Sequence, residues 1–103
     1  MPGVAELTHP ERSELQLTDV LFALSDPERL AIVRQLAGGP LNMAACQMTD
    51  PNLPKSTRSH LMKVLREAGV IRNEPQGRQR LLTLRRDDLD SRFPGLLDSV
   101  LRD

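Results

Sequence analysis

At 103 residues, with one cysteine, two phenylalanines and neither tryptophan nor tyrosine, the chain has the size of one small domain whose core must be aliphatic. One cysteine excludes an internal disulfide, and no apolar run approaches the roughly 18–20 residues that cross a bilayer. The first residues, MPGVAELTHPERSE, have neither the basic nor the apolar region of a secretory signal, so a cytoplasmic protein with no membrane partner is expected.

Net charge is zero but unevenly placed. Residues 1–54 carry seven acids and three bases, residues 55–85 eight bases and two acids, and residues 86–103 three bases and five acids.

Residues 1–13 are polar, lack a repeating apolar period and contain Pro2, Gly3 and Pro10; a flexible arm is expected there, followed by one domain over residues 14–103. From Leu15 the apolar residues recur at Leu17, Val20, Leu21 and Leu24, which is helical spacing, with Thr18 a suitable cap. Ser25-Asp26-Pro27-Glu28 marks a boundary. Asp26 can cap the next helix, Pro27 suits a first position that needs no N–H, and Glu28 suits the positive end of the helix dipole. That helix, with Leu30, Val33, Leu36 and Ala37 on one stripe, stops at Gly38-Gly39-Pro40.

Leu41 to Met48 has room for about two turns of helix. Pro51 and Pro54 then impose a turn. A long helix opens at Lys55 or Ser56, carries Leu61, Met62, Leu65 and Ala68 inward, and ends at Gly69. Val70-Ile71 and Leu81-Leu82-Thr83-Leu84 read as two short strands around a polar turn, Pro75 to Gln79. In the last segment Leu89, Phe93, Leu96, Leu97, Val100 and Leu101 recur at helical offsets, and Pro94 must bend or restart the helix. Six large apolar groups there exceed what one small domain covers, so a second subunit is expected over them.

Short helix, turn, longer helix and basic hairpin is the layout of a winged helix-turn-helix, mainly α with a small β-hairpin wing. The excess positive charge coincides with the long helix and hairpin, as expected of a face that approaches phosphates. Ser56, Thr57, Ser59, His60 and Lys63 lie away from the inward stripe, with Lys55 at the helix start. Arg58 lies nearer the packed face but has reach, and Arg78 and Arg80 sit on the hairpin. Short hydroxyls at a helix start suit close approach to phosphates and base edges, and wing arginines suit the minor groove or its flanking phosphates. For Ser56 and Thr57 the plainer alternative is N-capping. For His60, Lys63 and Arg66 it is a solvated surface.

Two stretches resemble the ArsR/SmtB family of dimeric winged-helix repressors. They are Leu24-Ser25-Asp26-Pro27-Glu28-Arg29-Leu30 with Ile32-Val33 and Leu36, and the run from Ser56 to Ile71, which looks like that family's recognition helix. The resemblance covers roughly Val20 to Leu84. It implies a homodimer paired through its first helix (Leu17, Val20, Leu21) and its last, binding double-stranded operator DNA. It also implies repression, and specifies no inducer. The family's metal sensors carry paired cysteines or His and acid clusters. Here only Cys46 stands before the recognition helix, with Met43 and Met48 nearby, and the last segment has no histidine. No metal site carries over, and no cofactor is expected.

Cys46 reads first as a small buried hydrophobe and second as a redox sensor, the latter requiring a lowered pKa and access. His9 reads as an unremarkable residue of the arm. No Ser/His/acid arrangement or phosphate loop is visible, so an enzyme is not expected. Two alternatives stay open: a redox- or ligand-gated sensor of the same fold, and a winged helix used for protein contact. Charge reversal at Lys63, Arg78 and Arg80 would leave the last intact.

Overall fold

The computed structural model describes residues 6–102. Helices α1 (Leu17–Leu24), α2 (Pro27–Leu36) and α3 (Lys55–Glu67) pack together. Strands β1 (Leu41–Asn42), β2 (Ile71–Gln76) and β3 (Gln79–Leu84) form an antiparallel sheet in the order β1-β3-β2. Helices α4 (Arg86–Arg92) and α5 (Leu96–Arg102) follow. Among the described residues no helix is long and apolar enough to cross a membrane.

The boundary at Asp26 forms as the sequence predicts. Its carboxylate accepts the N–H of Glu28 at 3.0 Å and of Arg29 at 3.1 Å, with Pro27 at the first helical position. Such a cap contributes about 1 kcal/mol. Helix α1 begins after Gln16, not at a Thr18 cap.

At the end of α3, Gly69 adopts φ +84°. Gly69 N–H donates to Arg66 O at 3.0 Å and Val70 N–H to Leu65 O at 3.0 Å, a Schellman closure. A Cβ at Gly69 would collide with the Leu15 side chain, so glycine there serves both the turn and the packing. Val20, Ala23, Ile32, Val33, Leu61, Met62, Leu65, Val70, Ile71, Leu82, Leu89 and Leu97 form one core with Leu15.

The two-turn helix expected over Leu41–Met48 does not form. Leu41 and Asn42 pair with Leu82 and Leu81 of β3, and a single 3-10 turn, Met43–Ala45, follows. The backbone beyond it is satisfied by side chains of α2. Gln35 donates to Gln47 O at 2.7 Å and accepts Gln47 N–H at 2.8 Å, while the Glu28 carboxylate accepts Thr49 N–H at 2.8 Å and Asp50 N–H at 3.0 Å. Hydrogen bonds from Thr49 hold the Glu28 carboxyl below the ordinary range. Tertiary partners thus replace intrahelical bonds.

The hairpin is longer than the apolar runs imply, with six residues in each strand and a two-residue turn at Gly77-Arg78. Gly77 at φ +63° followed by a residue of negative φ fits a type II′ turn. Pro75 lies within β2, opposite Arg80.

The loose arm expected up to Ser13 is instead tied down over its described part. Thr8 O accepts from Arg66, His9 Nε2 accepts the N–H of Asn73 at 3.0 Å, and Pro10 O accepts from Arg85 at 2.8 Å. A 3-10 turn, Arg12–Glu14, carries the chain to buried Leu15. The part of that expectation resting on residues 1–5 lies outside the described residues.

Asp88, in the first turn of α4, collects the arginines around this junction. It accepts from Arg12 Nε at 2.7 Å and Arg85 Nε at 2.9 Å, and Arg72 Nη2 lies 3.7 Å away. Burial would raise its pKa, but the hydrogen bonds from Arg12 and Arg85 outweigh burial and hold it below the ordinary carboxylate range.

Candidate nucleic-acid interface

Helix α3 turns Leu61, Met62 and Leu65 into the core. Ser56, Ser59, His60 and Lys63 stand exposed on its other side, with Lys55 exposed at its start and Thr57 and Arg58 half-buried. Pro54 occupies the cap position and supplies no side-chain acceptor. Ser56 and Thr57 therefore fall inside the first turn, and neither is the N-cap. The first-turn N–H groups, with no side-chain cap, sit at the positive end of the helix dipole. Arg66 lies 9% exposed and donates to Thr8 O, which takes it off this surface.

The wing brings its cations to the same place. Arg78 is exposed at the turn, and Arg80 is half-buried on β3. A cleft of about 470 Å³ lies between the wing and the start of α3, with Lys55, Arg58, Ser59, Arg78 and Arg80 among its walls and Met43, Leu53 and Met62 also lining it. Among the described residues, none that line it is acidic. The Arg80 guanidinium is braced from behind. Its Nε donates to Asn73 Oδ1 and its Nη2 to Asn73 O at 2.8 Å. Arg80 therefore contributes charge to the cleft as a fixed group of the wing rather than as a mobile arm.

Of the residues expected at a subunit interface, Val20, Leu89 and Leu97 are at most 2% exposed and belong to the protomer's own core. Periodicity marks an inward face but not which body lies inside it. Leu17 and Leu21 are 46% and 45% exposed, and Phe93, Leu96, Val100 and Leu101 are half-buried. Leu17 lines one shallow groove with Phe93, Pro94 and Leu96, so the α1 and α4–α5 patches adjoin.

Phe22, 62% exposed, is the apolar residue that sequence reasoning missed. Its signal is position: a large aromatic off the Val20-Ala23-Leu24 stripe of a helix whose stripe is already complete. Buried Arg29 stacks on its ring at 5.0 Å and donates to Phe22 O and Ala23 O, closing the end of α1.

Cys46 is 3% exposed, and burial pushes its thiol up despite the opposing charge of Arg58. Neither condition for a redox-sensing thiolate is met in this fold. Among the described residues no three His, Cys, Asp or Glu side chains group closely enough to hold a metal ion.

A three-helix unit with a β-hairpin wing, and a basic cleft between hairpin and third helix with no acid among its described lining residues, define the winged helix-turn-helix class. Comparison with known proteins places the chain within it. No protein-family model matches. An uncharacterised HTH-type transcriptional regulator of Bacillus subtilis (strain 168), YceK, is 33% identical over 92 residues, covering 87% of this chain and 92% of its own. The chain belongs to the HTH-type transcriptional regulators and is not an enzyme. A crystal structure of an ArsR family transcriptional regulator matches at a TM-score of 0.66 and 22% identity, covering 89% of this chain and 92% of that one. The fold is the ArsR-type winged helix.

Proposed function

We propose that the chain is a cytoplasmic homodimer that binds double-stranded operator DNA sequence-specifically and represses transcription. The observation that carries this reading is the convergence of Lys55, Arg58, Ser59, Arg78 and Arg80, from two separate elements, on one cleft with no acid among its described lining residues. Recognition helix α3 enters the major groove, where Ser56, Ser59 and His60 reach base edges and Lys55, Thr57, Arg58 and Lys63 meet base edges or phosphates. Arg78, at the tip of the wing, lies along the adjacent minor groove. The partner subunit covers Leu17, Leu21, Phe22, Phe93, Leu96, Val100 and Leu101, which form an apolar surface a soluble monomer rarely leaves open.

A two-fold dimer puts its recognition helices into half-sites about 34–36 Å apart, one duplex turn. With three or four phosphate contacts per subunit, the logarithm of affinity should fall against the logarithm of salt with a slope of roughly −5 to −7. Titrating the purified protein against fragments from upstream of its own gene, over a series of salt concentrations, tests this. Binding that ignores salt, or none to any fragment, overturns it.

A further inference from the structure

The described part of the N-terminal arm touches three elements that DNA binding must align. Thr8 O accepts from Arg66 on α3, His9 Nε2 accepts the N–H of Asn73 on β2, and Pro10 O accepts from Arg85 where β3 passes into α4. Asn73 is 4% exposed and passes the connection on, its side-chain and backbone oxygens both accepting from Arg80 on β3. A line of hydrogen bonds therefore leads from His9 through β2 to a cation of the basic cleft.

The contact at His9 fixes the chemistry of the ring. A nitrogen that accepts a backbone N–H carries no proton, so His9 is held neutral, with its hydrogen on Nδ1. The charged groups around it are Arg72 and Glu74 on β2, Arg66 on α3 and Arg85 after β3; Asp88 on α4 is already engaged by Arg12 and Arg85, with Arg72 nearby. Three cations against one acid disfavour an imidazolium. Burial first, then Arg72, Arg66 and Arg85, lower the His9 pKa below the ordinary 6.5, with Glu74 opposing.

We propose that residues 8–15 are a strap that holds the wing in position against α3, and that His9 is its proton-operated latch, so that charging His9 weakens DNA binding. This rests on the DNA-binding reading above. DNA must engage α3 and the wing together, and a strap that aligns them beforehand lowers the conformational cost of binding. Protonation sets two donors, Nε2–H and Asn73 N–H, against each other and adds a charge beside Arg66, Arg72 and Arg85. The strap then lifts and Asn73 loses the partner that steadies it.

His60, exposed on α3, is read above as a base-edge contact, so a change there would alter binding itself and it is left in place. The experiment therefore uses the unaltered full-length protein as its parent, at fixed ionic strength, and reads each affinity as a ratio to that of His9→Gln at the same pH, which cancels any contribution from His60. Affinity for the bound promoter fragment is measured by fluorescence anisotropy from about pH 8 to about pH 5.5, across the range where histidine titrates. Protection of the Asn73 amide against hydrogen exchange is followed without DNA over the same range.

We expect the affinity ratio to fall about 3- to 10-fold towards the acid end, the worth of one hydrogen bond, and Asn73 protection to fall with it. His9→Gln, whose amide oxygen accepts at any pH, should bind as the parent does near pH 8 and lose that pH dependence. His9→Ala should bind weakly throughout. The same pH slope in His9→Gln, full affinity in His9→Ala, or Asn73 protection indifferent to pH each overturns the latch. A parent that binds no DNA at any pH overturns both the functional reading and the claim about affinity, and Asn73 protection still decides whether the latch exists.

Discussion

Asp88→Ala is the substitution whose cost the structure defines best. Asp88 has a side chain 15% exposed and serves Arg12, Arg72 and Arg85, of which Arg85 has a side chain only 2% exposed. Removing the carboxylate leaves the Arg85 guanidinium buried with Pro10 O as its remaining described acceptor. Breaking a buried pair typically costs 3–5 kcal/mol; because Arg12 is half exposed and can turn to water, about 2–4 kcal/mol is expected here. With a urea m-value of about 1–1.5 kcal/mol per molar, the unfolding midpoint should drop by roughly 2 M, read at one protein concentration because a dimer's stability depends on it.

A double-mutant cycle with Arg85→Met separates the pair from simple loss of packing. In that background the buried charge is gone, and Asp88→Ala should cost at least about 1 kcal/mol less. Equal costs in both backgrounds would refute the argument. The acid side gives a second reading. The folded pKa of Asp88 lies below its unfolded value, so its stabilisation is complete above the ordinary aspartate value of about 3.8 and is lost as pH falls through the folded value. The variant should lack that part of the acid transition.

Phe22→Asp places a charge on the most exposed apolar side chain of α1 and should weaken self-association at least about tenfold in sedimentation equilibrium. An unchanged monomer–dimer balance would remove α1 from the interface. Cys46→Ser puts a hydroxyl where a thiol lies 3% exposed and should cost about 1–2 kcal/mol in urea unfolding. Any response of DNA binding to peroxide should be the same with and without this change; a response abolished by it would restore the redox reading. Lys63→Glu with Arg78→Glu should weaken binding to all DNA sequences alike and reduce the salt slope by about one for each phosphate no longer neutralised. Asp26→Ala removes the two capping bonds of α2 and should lower stability by about 1 kcal/mol, seen as a shifted midpoint with an unchanged m-value.

The elements that could be read from the sequence are those whose determinants are local. Asp26-Pro27-Glu28 carries its own cap, α3 its own stripe and glycine stop, and Gly77 its own turn. Leu41 to Met48 misleads because its apolar residues fit a helix while its partners lie elsewhere: Leu82 and Leu81 on β3, and the side chains of Gln35 and Glu28 on α2. The arm escapes for a related reason. Thr8 and Pro10 bind through backbone carbonyls to Arg66 and Arg85, some sixty and seventy-five residues away, and nothing in the arm's own composition announces those acceptors. At the basic face the charge count locates the surface. It does not separate Arg78, which is exposed, from Arg66, which is buried, because both obey the same pattern.

Strand β2 lies on the outside of the sheet, and an open strand edge is a template for another molecule's strand. Asn73 uses its amide on His9, away from β3. With side-to-side alternation along a strand, Ile71 and Pro75 share that outward orientation. Pro75 has no N–H to offer, and Asn73's is already taken. Of the three outward positions along this margin, Pro75 thus lacks a donor by covalent structure and Asn73 has its donor held by the arm, and intermolecular β-pairing through the wing is discouraged. Only the second safeguard is reversible: on the latch reading, acid that unseats His9 returns the Asn73 donor to the strand margin.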